Sequence, residues 1–178
     1  MSEKMIRIAT AGTIVSLIAS ALLATIHPDT KRMEHEIVAG DMHALGQMQA
    51  LMDEGNAVAQ NWLGLHFQSG SDYVSAARWF LKAADQGNVL AQDNLGNLYE
   101  TGRGVLPNPV VAYALYSLAA SSNQRWVRLH SRTSLQRVGA SMSDEQLDAA
   151  RAIAQMMRSD GIASTLDRIE HIQDGYEP

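Results

Sequence analysis

The chain has 178 residues, of which 46% are hydrophobic, and a formal net charge of −5 at pH 7. This length fits one domain with or without a targeting segment, and the hydrophobic fraction is sufficient for a packed core. The acidic balance argues against a general nucleic-acid binder, because such proteins need basic surface to meet phosphate groups. The sequence has no cysteine, which excludes disulfides, thiolate metal sites, a cysteine nucleophile and a lipoprotein anchor.

An uncharged, largely apolar run occupies residues 8–26, after Lys4 and Arg7 and before His27-Pro28-Asp29. Nineteen helical residues span roughly 28 Å, which is close to the thickness of the hydrocarbon core of a bilayer. We therefore predict one N-terminal hydrophobic helix within a targeting segment at residues 1–29.

Two interpretations of this segment remain open. It is either an uncleaved signal-anchor, which we favour, or a cleaved signal peptide, for which Ala19-Ser20-Ala21 provides small residues at the required spacing. The basic residues before the run favour a cytoplasmic N-terminus and an exported body, although Lys31 and Arg32 weaken that signal.

A repeat dominates the rest of the chain. The stretch AQNWLGLHFQSG at residues 59–70 returns as AQDNLGNLYETG at residues 91–102, an offset of 32. Four small or aromatic residues return at an offset of 36, and the pairs are Ala76 and Ala112, Phe80 and Tyr116, Ala83 and Ala119, and Ala84 and Ala120. The four extra residues fall between positions 103 and 108. A period in this range indicates stacked helical hairpins, each of which buries its apolar face only against its neighbours.

Helical periodicity and capping residues predict the individual elements in chain order. Helices at 31–38 and 42–53 form a degenerate first hairpin, because MQALMDEGN at 48–56 matches FLKAADQGN at 80–88. The later helices are predicted at 57–69, 73–85, 89–101, 109–120, 126–138, 144–158 and 162–172. Asn108 before Pro109 and the capping box from Ser143 to Gln146 mark two of the starts. We expect Trp126 to lie in the core.

The predicted fold class is therefore all-α: a short right-handed α-solenoid of stacked helix-turn-helix hairpins over residues 30–160, preceded by the hydrophobic helix. Residues 161–178 are expected to form a helix that covers the exposed end of the stack, followed by a tail. Small residues at the repeating positions, such as Ala59 and Gly64, should let neighbouring helices approach closely.

The repeat resembles the Sel-one-like repeat, a relative of the tetratricopeptide repeat. Both share the Leu-Gly-x-x-aromatic pattern of Leu63 to Phe67 and of Leu95 to Tyr99. The Gly-x-Gly-Val turn at 102–105 and the KAADQGN segment at 82–88 point to the Sel-one type, and the resemblance covers about residues 40–158. The first clear unit departs from the pattern, because it lacks the Gly-Val turn after Gly70.

The resemblance implies an adaptor or scaffold protein without catalysis. Many bacterial relatives are exported and act in envelope assembly, secretion or regulation, and some resemble immunity proteins that neutralise exported effectors. We therefore predict a membrane-tethered scaffold or accessory subunit of an inner-membrane or envelope complex, with its repeat domain in the periplasm. The alternative is a soluble periplasmic immunity or inhibitor protein, released by signal cleavage, that binds an exported effector.

Motifs for catalysis or cofactor binding are lacking in the sequence. His35-Glu36 begins like a zinc-protease helix, but the fifth position is Ala39 and the second histidine ligand is missing. The sequence has no Gly-x-Ser-x-Gly nucleophile elbow. We predict no catalytic residue, no metal site, no cofactor and no small-molecule substrate.

The first helix of each hairpin is expected to line the concave face of such a solenoid. Positions that differ between equivalent helices are the informative ones for partner binding. Trp62 and Leu65 stand where the next unit has Asn94 and Asn97, and they share one helical face. These four residues are candidate partner contacts, with Trp62 as an aromatic anchor. The alternative is that Trp62 packs under the preceding hairpin.

A second candidate contact is basic. Arg125, Arg128 and Arg132 follow one face of a predicted helix, with Trp126 among them. In an acidic chain this local positive stripe could meet an acidic protein or anionic lipid headgroups. The alternative is an ordinary solvated helix face.

Overall fold

A computed structural model describes residue 51 and residues 54–174. Within these residues the regular secondary structure is helical, and it comprises seven helices. They are α1 (Ala57–Ser69), α2 (Tyr73–Asp85), α3 (Val89–Thr101), α4 (Pro109–Ala119), α5 (Arg125–Gly139), α6 (Asp144–Asp160) and α7 (Ile162–Asp174). The predicted helices at 8–26 and 31–38, most of the helix at 42–53, and the tail at 175–178 lie outside the described residues.

The local sequence signals account for the helix boundaries. Both ends of α1, α2 and α3 are confirmed, and α4 to α7 differ from the prediction by one or two residues at their ends. Asn88 caps α3, Asn108 caps α4 ahead of Pro109, and Ser143 forms the predicted capping box with Gln146. These side chains satisfy amide groups that a helix leaves without partners at its first turn.

The helices pack as successive antiparallel hairpins of an α-solenoid. In each of the two repeating hairpins, a glycine of the first helix faces an aromatic ring of the second. A Cβ on Gly64 would lie 2.5 Å from the Phe80 ring, and one on Gly96 would lie 3.0 Å from the Tyr116 ring. Ala76, the most N-terminal alanine of the repeating set in α2, is also fully buried. The predicted role of the small residues, close helix approach, is therefore confirmed.

The turns of the two hairpins differ in length by four residues, as the change of offset in the sequence indicates. The shorter turn, between α1 and α2, places Ser71 at a φ of 65°, an unusual conformation for a residue with a side chain. The longer turn, between α3 and α4, begins at Gly102 in the left-handed region and presses Gly104 against the backbone of Tyr73. The extra residues therefore bring the second repeat into contact with the start of α2.

Helix α7 is placed differently from the prediction. It packs against α6 but also reaches α2, in the first described hairpin. Its first turn is fixed there because the carboxylate of Asp85, at the end of α2, accepts a hydrogen bond from the amide of Ala163 at 3.0 Å. Ile162 and Leu166 are buried in the main core. The helix thus bridges separate hairpins as well as covering part of the last one.

The expectation that Trp126 lies in the core is wrong, since half of the side chain is exposed. The buried face of α5 consists of Val127, Ser131, Ser134 and Val138. These positions follow helical spacing, and Trp126, one residue before them, is rotated out of that face. Two of the four buried residues are serines, so the apolar pattern of the sequence indicated the wrong face.

Candidate partner-binding surface

The exposed side chains of α1, α3 and α5, the first helices of three successive hairpins, are here called the first-helix surface. In α3, the residues that repeat the preceding unit, such as Leu95 and Gly96, are buried in the stack. The surface is therefore formed largely by residues that do not repeat. The seven residues predicted as partner contacts lie on these three helices.

On α1, Trp62 is partly buried, and both of its sequence interpretations have support. It packs with Ala59, Leu63 and Leu51 in a small hydrophobic cluster apart from the main core. Its ring also stacks on that of His66, with the centroids 5.6 Å apart, and His66 is exposed. Trp62 thus contacts both the small cluster and His66, and part of its surface remains accessible. Leu65 packs against the main core instead, so the two side chains belong to different clusters.

On α3, the two predicted asparagines make contacts within the stack. The Asn94 side chain donates to Oδ1 of the buried Asn61 at 3.1 Å, which joins α3 to α1. Burial, followed by the negative charge of Asp93, raises the pKa of Tyr116 to about 12, against smaller lowering contributions from hydrogen bonds with Asn97 and Ser134. Both asparagines are half-buried, so each offers only part of its side chain to a partner.

Two acidic residues of α3 hold α5 in place. Asp93 is buried, lies 2.9 Å from Nδ1 of His130, and accepts a 2.6 Å hydrogen bond from Ser131. Seven residues later, Glu100 forms an ion pair with Arg137 and accepts a 2.7 Å hydrogen bond from the Tyr116 hydroxyl. Residues seven apart lie on one side of a helix, so these acids form a row that faces α5. Both carboxylates are therefore engaged by groups within the fold.

The outer face of α5 combines apolar and cationic groups. Trp126 is 50% exposed and Leu129 is 66% exposed. The Trp126 ring stacks on His130, with the centroids 5.3 Å apart and the planes nearly parallel, which fixes its orientation. Arg125 and Arg132 are exposed on the same helix, whereas Arg128 is half-buried and donates to the carbonyl oxygen of Ser122 at 3.1 Å.

Leu129 and His130 were not predicted from the sequence as part of this surface. A leucine in a helix usually indicates a buried position, and here its spacing of three from Trp126 was the available signal. The stack of a histidine on a tryptophan four residues earlier occurs in both α1 and α5. That shared spacing, Trp62 to His66 and Trp126 to His130, was also visible in the sequence.

The part of the chain that the structure describes contains no group of three or more His, Asp or Glu residues placed to hold a metal ion. No helix in that part is long and apolar enough to cross a membrane. The carboxylates of Asp93 and Glu100 are engaged with basic and hydroxyl groups, as described above.

The comparisons with known proteins agree with this architecture. A family model described as Sel1 repeat matches residues 57–88 and 89–124, which contain the α1–α2 and α3–α4 hairpins. A crystal structure of a protective antigen from uropathogenic Escherichia coli strains, which displays an SLR fold, matches with a TM-score of 0.61 at 21% identity. That match covers 90% of this chain and 32% of the antigen.

A curated relative is DAP3-binding cell death enhancer 1 of Rattus norvegicus, which is 41% identical over 61 residues. The matched region covers 34% of this chain and 12% of the relative's length. These matches identify residues 57–124 of the chain as two Sel1-like repeats. Sel1 repeats are protein–protein interaction modules, and their fold is typical of non-catalytic scaffolds.

Proposed function

We propose that the protein is a non-catalytic interaction module held at the bacterial inner membrane by residues 8–26, with its repeat domain in the periplasm. There it serves as a scaffold or accessory subunit of an envelope complex. The observation that carries the proposal is the composition of the first-helix surface. Most residues that repeat between α1 and α3 are buried in the stack, and the surface includes two non-repeating tryptophans, each stacked on a histidine.

Oriented aromatic side chains are suited to partner binding. An aromatic ring offers a large contact area at a low cost in conformational entropy, and tryptophan is enriched among the residues that contribute most to binding energy. The stacked histidines restrict the rings before a partner arrives, which reduces the ordering cost of association. The curated relative is also named for binding a protein, which is consistent with a protein partner here.

The proposed membrane tether rests on the sequence. Residues 8–26 carry no charged side chain, and Lys4 and Arg7 precede them. A single apolar helix of this length, with basic residues before it, favours a cytoplasmic N-terminus and a periplasmic body. In that arrangement the repeat domain meets envelope proteins in the periplasm or the periplasmic parts of membrane proteins.

A pull-down from native membranes in mild detergent, with mass spectrometry of the bait's own N-terminus, tests both parts of the proposal. We expect residues 8–26 to be retained and a membrane or envelope protein to co-purify. An N-terminus after Ala21 together with a soluble exported partner would instead favour the immunity or inhibitor role. If nothing co-purifies above a tag-only control, the interaction module itself is contradicted.

A further inference from the structure

Helix α5 carries positive charge from arginines, which the other helices of the first-helix surface lack. Helix α5 contains four arginines and no acidic residue, in a chain whose net charge is −5. In contrast, α1 has neither acidic residues nor Lys or Arg, and α3 has only acidic charges. Positive charge is therefore concentrated on one helix of this surface.

Of the three exposed arginines of α5, Arg125 and Arg132 have no ion-pair partner among the described residues. Arg137 pairs with Glu100, and Arg128 is held by the Ser122 carbonyl. The acids of α3 are already engaged by other groups of α5, so they do not neutralise Arg125 and Arg132. These two cations lie seven residues apart on one side of α5, a separation of roughly 10 Å along its axis.

Apolar surface lies between the two cations. Leu129 is four residues after Arg125 and three before Arg132, so it shares their face. Trp126 lies beside it, with its ring fixed by His130. An exposed leucine next to an immobilised tryptophan forms a small apolar platform with a cationic group toward each end. The same layout, an apolar centre with a charged rim, is common in protein interfaces.

We infer that this face of α5 binds an acidic protein segment, one that places an apolar side chain on Trp126 and Leu129 and carboxylates toward Arg125 and Arg132. The inference rests on the proposed function and names the chemistry of the partner. Arginine suits the role because its guanidinium group matches a carboxylate with two parallel hydrogen bonds.

The same observations disfavour an anionic membrane surface as the occupant. Recognition of anionic lipid headgroups typically uses clusters of four to eight basic residues, and α5 exposes two unpaired arginines. A helix that lies in the membrane interface also needs a broad apolar face. The inner side of α5 is engaged in the protein core through Val127 and Val138, which leaves a platform of two apolar side chains.

Site-specific photo-crosslinking in cells that make the protein natively tests the inference on the full chain. A benzophenone amino acid replaces Leu129, the exposed His66 or the exposed Leu106, each in a separate variant. Leu106 lies in the turn between α3 and α4, is 81% exposed, and serves as the control for a non-specific apolar contact.

We expect position 129 to crosslink to a protein, through a peptide that carries at least two Asp or Glu residues close to an apolar one. Position 106 should not give this adduct. The Arg125→Glu and Arg132→Glu double variant should reduce the adduct about tenfold, since charge reversal places like charges against each other. The matched double variant Arg151→Glu and Arg158→Glu, on exposed positions of α6, should leave the adduct within about twofold.

The outcomes separate the inference from the proposed function. A lipid adduct at position 129, a crosslinked peptide without acidic residues, or an adduct unchanged by charge reversal on α5 would overturn the inference. A protein adduct at position 66 alone would overturn it while leaving the proposed function intact. Absence of protein adducts from both positions 129 and 66 would contradict both. Thermal melting of each variant shows that a lost adduct does not reflect unfolding.

Discussion

At the scale of single residues, the fold depends on a few positions where even one added side-chain carbon would overlap a neighbouring element. Gly104 is the clearest of these. A Cβ there would lie 2.3 Å from both the carbonyl carbon and the carbonyl oxygen of Tyr73, and the backbone φ is +72°. No side chain can be accommodated without moving the turn between α3 and α4 away from α2. Its sequence signal, the Gly-x-Gly-Val pattern, indicated a tight turn but not the neighbour it presses against.

Replacing Gly104 with alanine should destabilise the protein by roughly 2–4 kcal/mol, because strain at positive φ adds to the steric overlap. Gly87→Ala provides the control, since Gly87 has a similar φ of +82° but no atom within 4 Å of the added carbon. That variant should lose only about 1 kcal/mol. Urea unfolding measures both changes, and equal losses in the two variants would show that contact with Tyr73 is unimportant.

Tyr116 gives a second residue-scale prediction, which concerns pH. Its pKa is raised to about 12, first by burial and then by the charge of Asp93. In the unfolded chain a tyrosine loses its proton near pH 10. Between these values the folded state holds more protons than the unfolded state, so its stability should fall as the pH rises from about 10 to 12.

The Tyr116→Phe variant isolates this contribution, because Phe80 occupies the equivalent place in the preceding hairpin and shows that the ring alone fits. The variant should lose about 1–2 kcal/mol at neutral pH from the missing hydrogen bond to Glu100. The difference in unfolding free energy between the variant and the parent should then shrink as the pH rises above 10. A constant difference across that range would contradict the shifted pKa.

At the scale of elements, the helix positions could be predicted from sequence because their signals are local. Capping asparagines, the Ser143 capping box and the 32-residue period each act within a few residues or one repeat. The position of α7 could not be predicted in this way. It depends on contacts with α2 and on the bond from Asp85 to Ala163, which join residues 78 positions apart. The exposure of Trp126 was missed because it depends on how α5 is rotated against α3.

The junction of the hairpins tests the repeat register directly. Ala84 is buried at the end of α2, and the carbonyl group of this residue accepts a hydrogen bond from the Gln92 side chain of α3. Ala84→Leu should overpack this junction and cost about 1–3 kcal/mol. Ala152→Leu, at an exposed position of α6, should change stability by less than about 0.5 kcal/mol. If both variants melt like the parent, the register assigned to the repeat is wrong.

At the scale of the whole molecule, the sequence predicted the repeat class and the helices expected to face a partner, but not which parts of their side chains are exposed. Trp62 packs partly into its own cluster, Asn94 is hydrogen-bonded to Asn61, and the accessible apolar side chains on α5 are Trp126 and Leu129. These differences arise because exposure depends on how neighbouring hairpins meet. Helical periodicity shows which face of a helix is apolar. It does not show how the neighbouring helix packs against that face.

The central claim is that a protein partner binds the first-helix surface. The most direct measurement is the affinity of the co-purified partner for two matched double variants, with their melting points measured alongside. One removes aromatic groups from α1 and α5 (Trp62→Ala with Trp126→Ala), and the other changes exposed groups of α2 (Val74→Ala with Arg78→Ala). We predict that the first weakens binding by at least about tenfold and the second by less than about twofold. Parent-like affinity in the first variant, with a loss in the second, would contradict the claim.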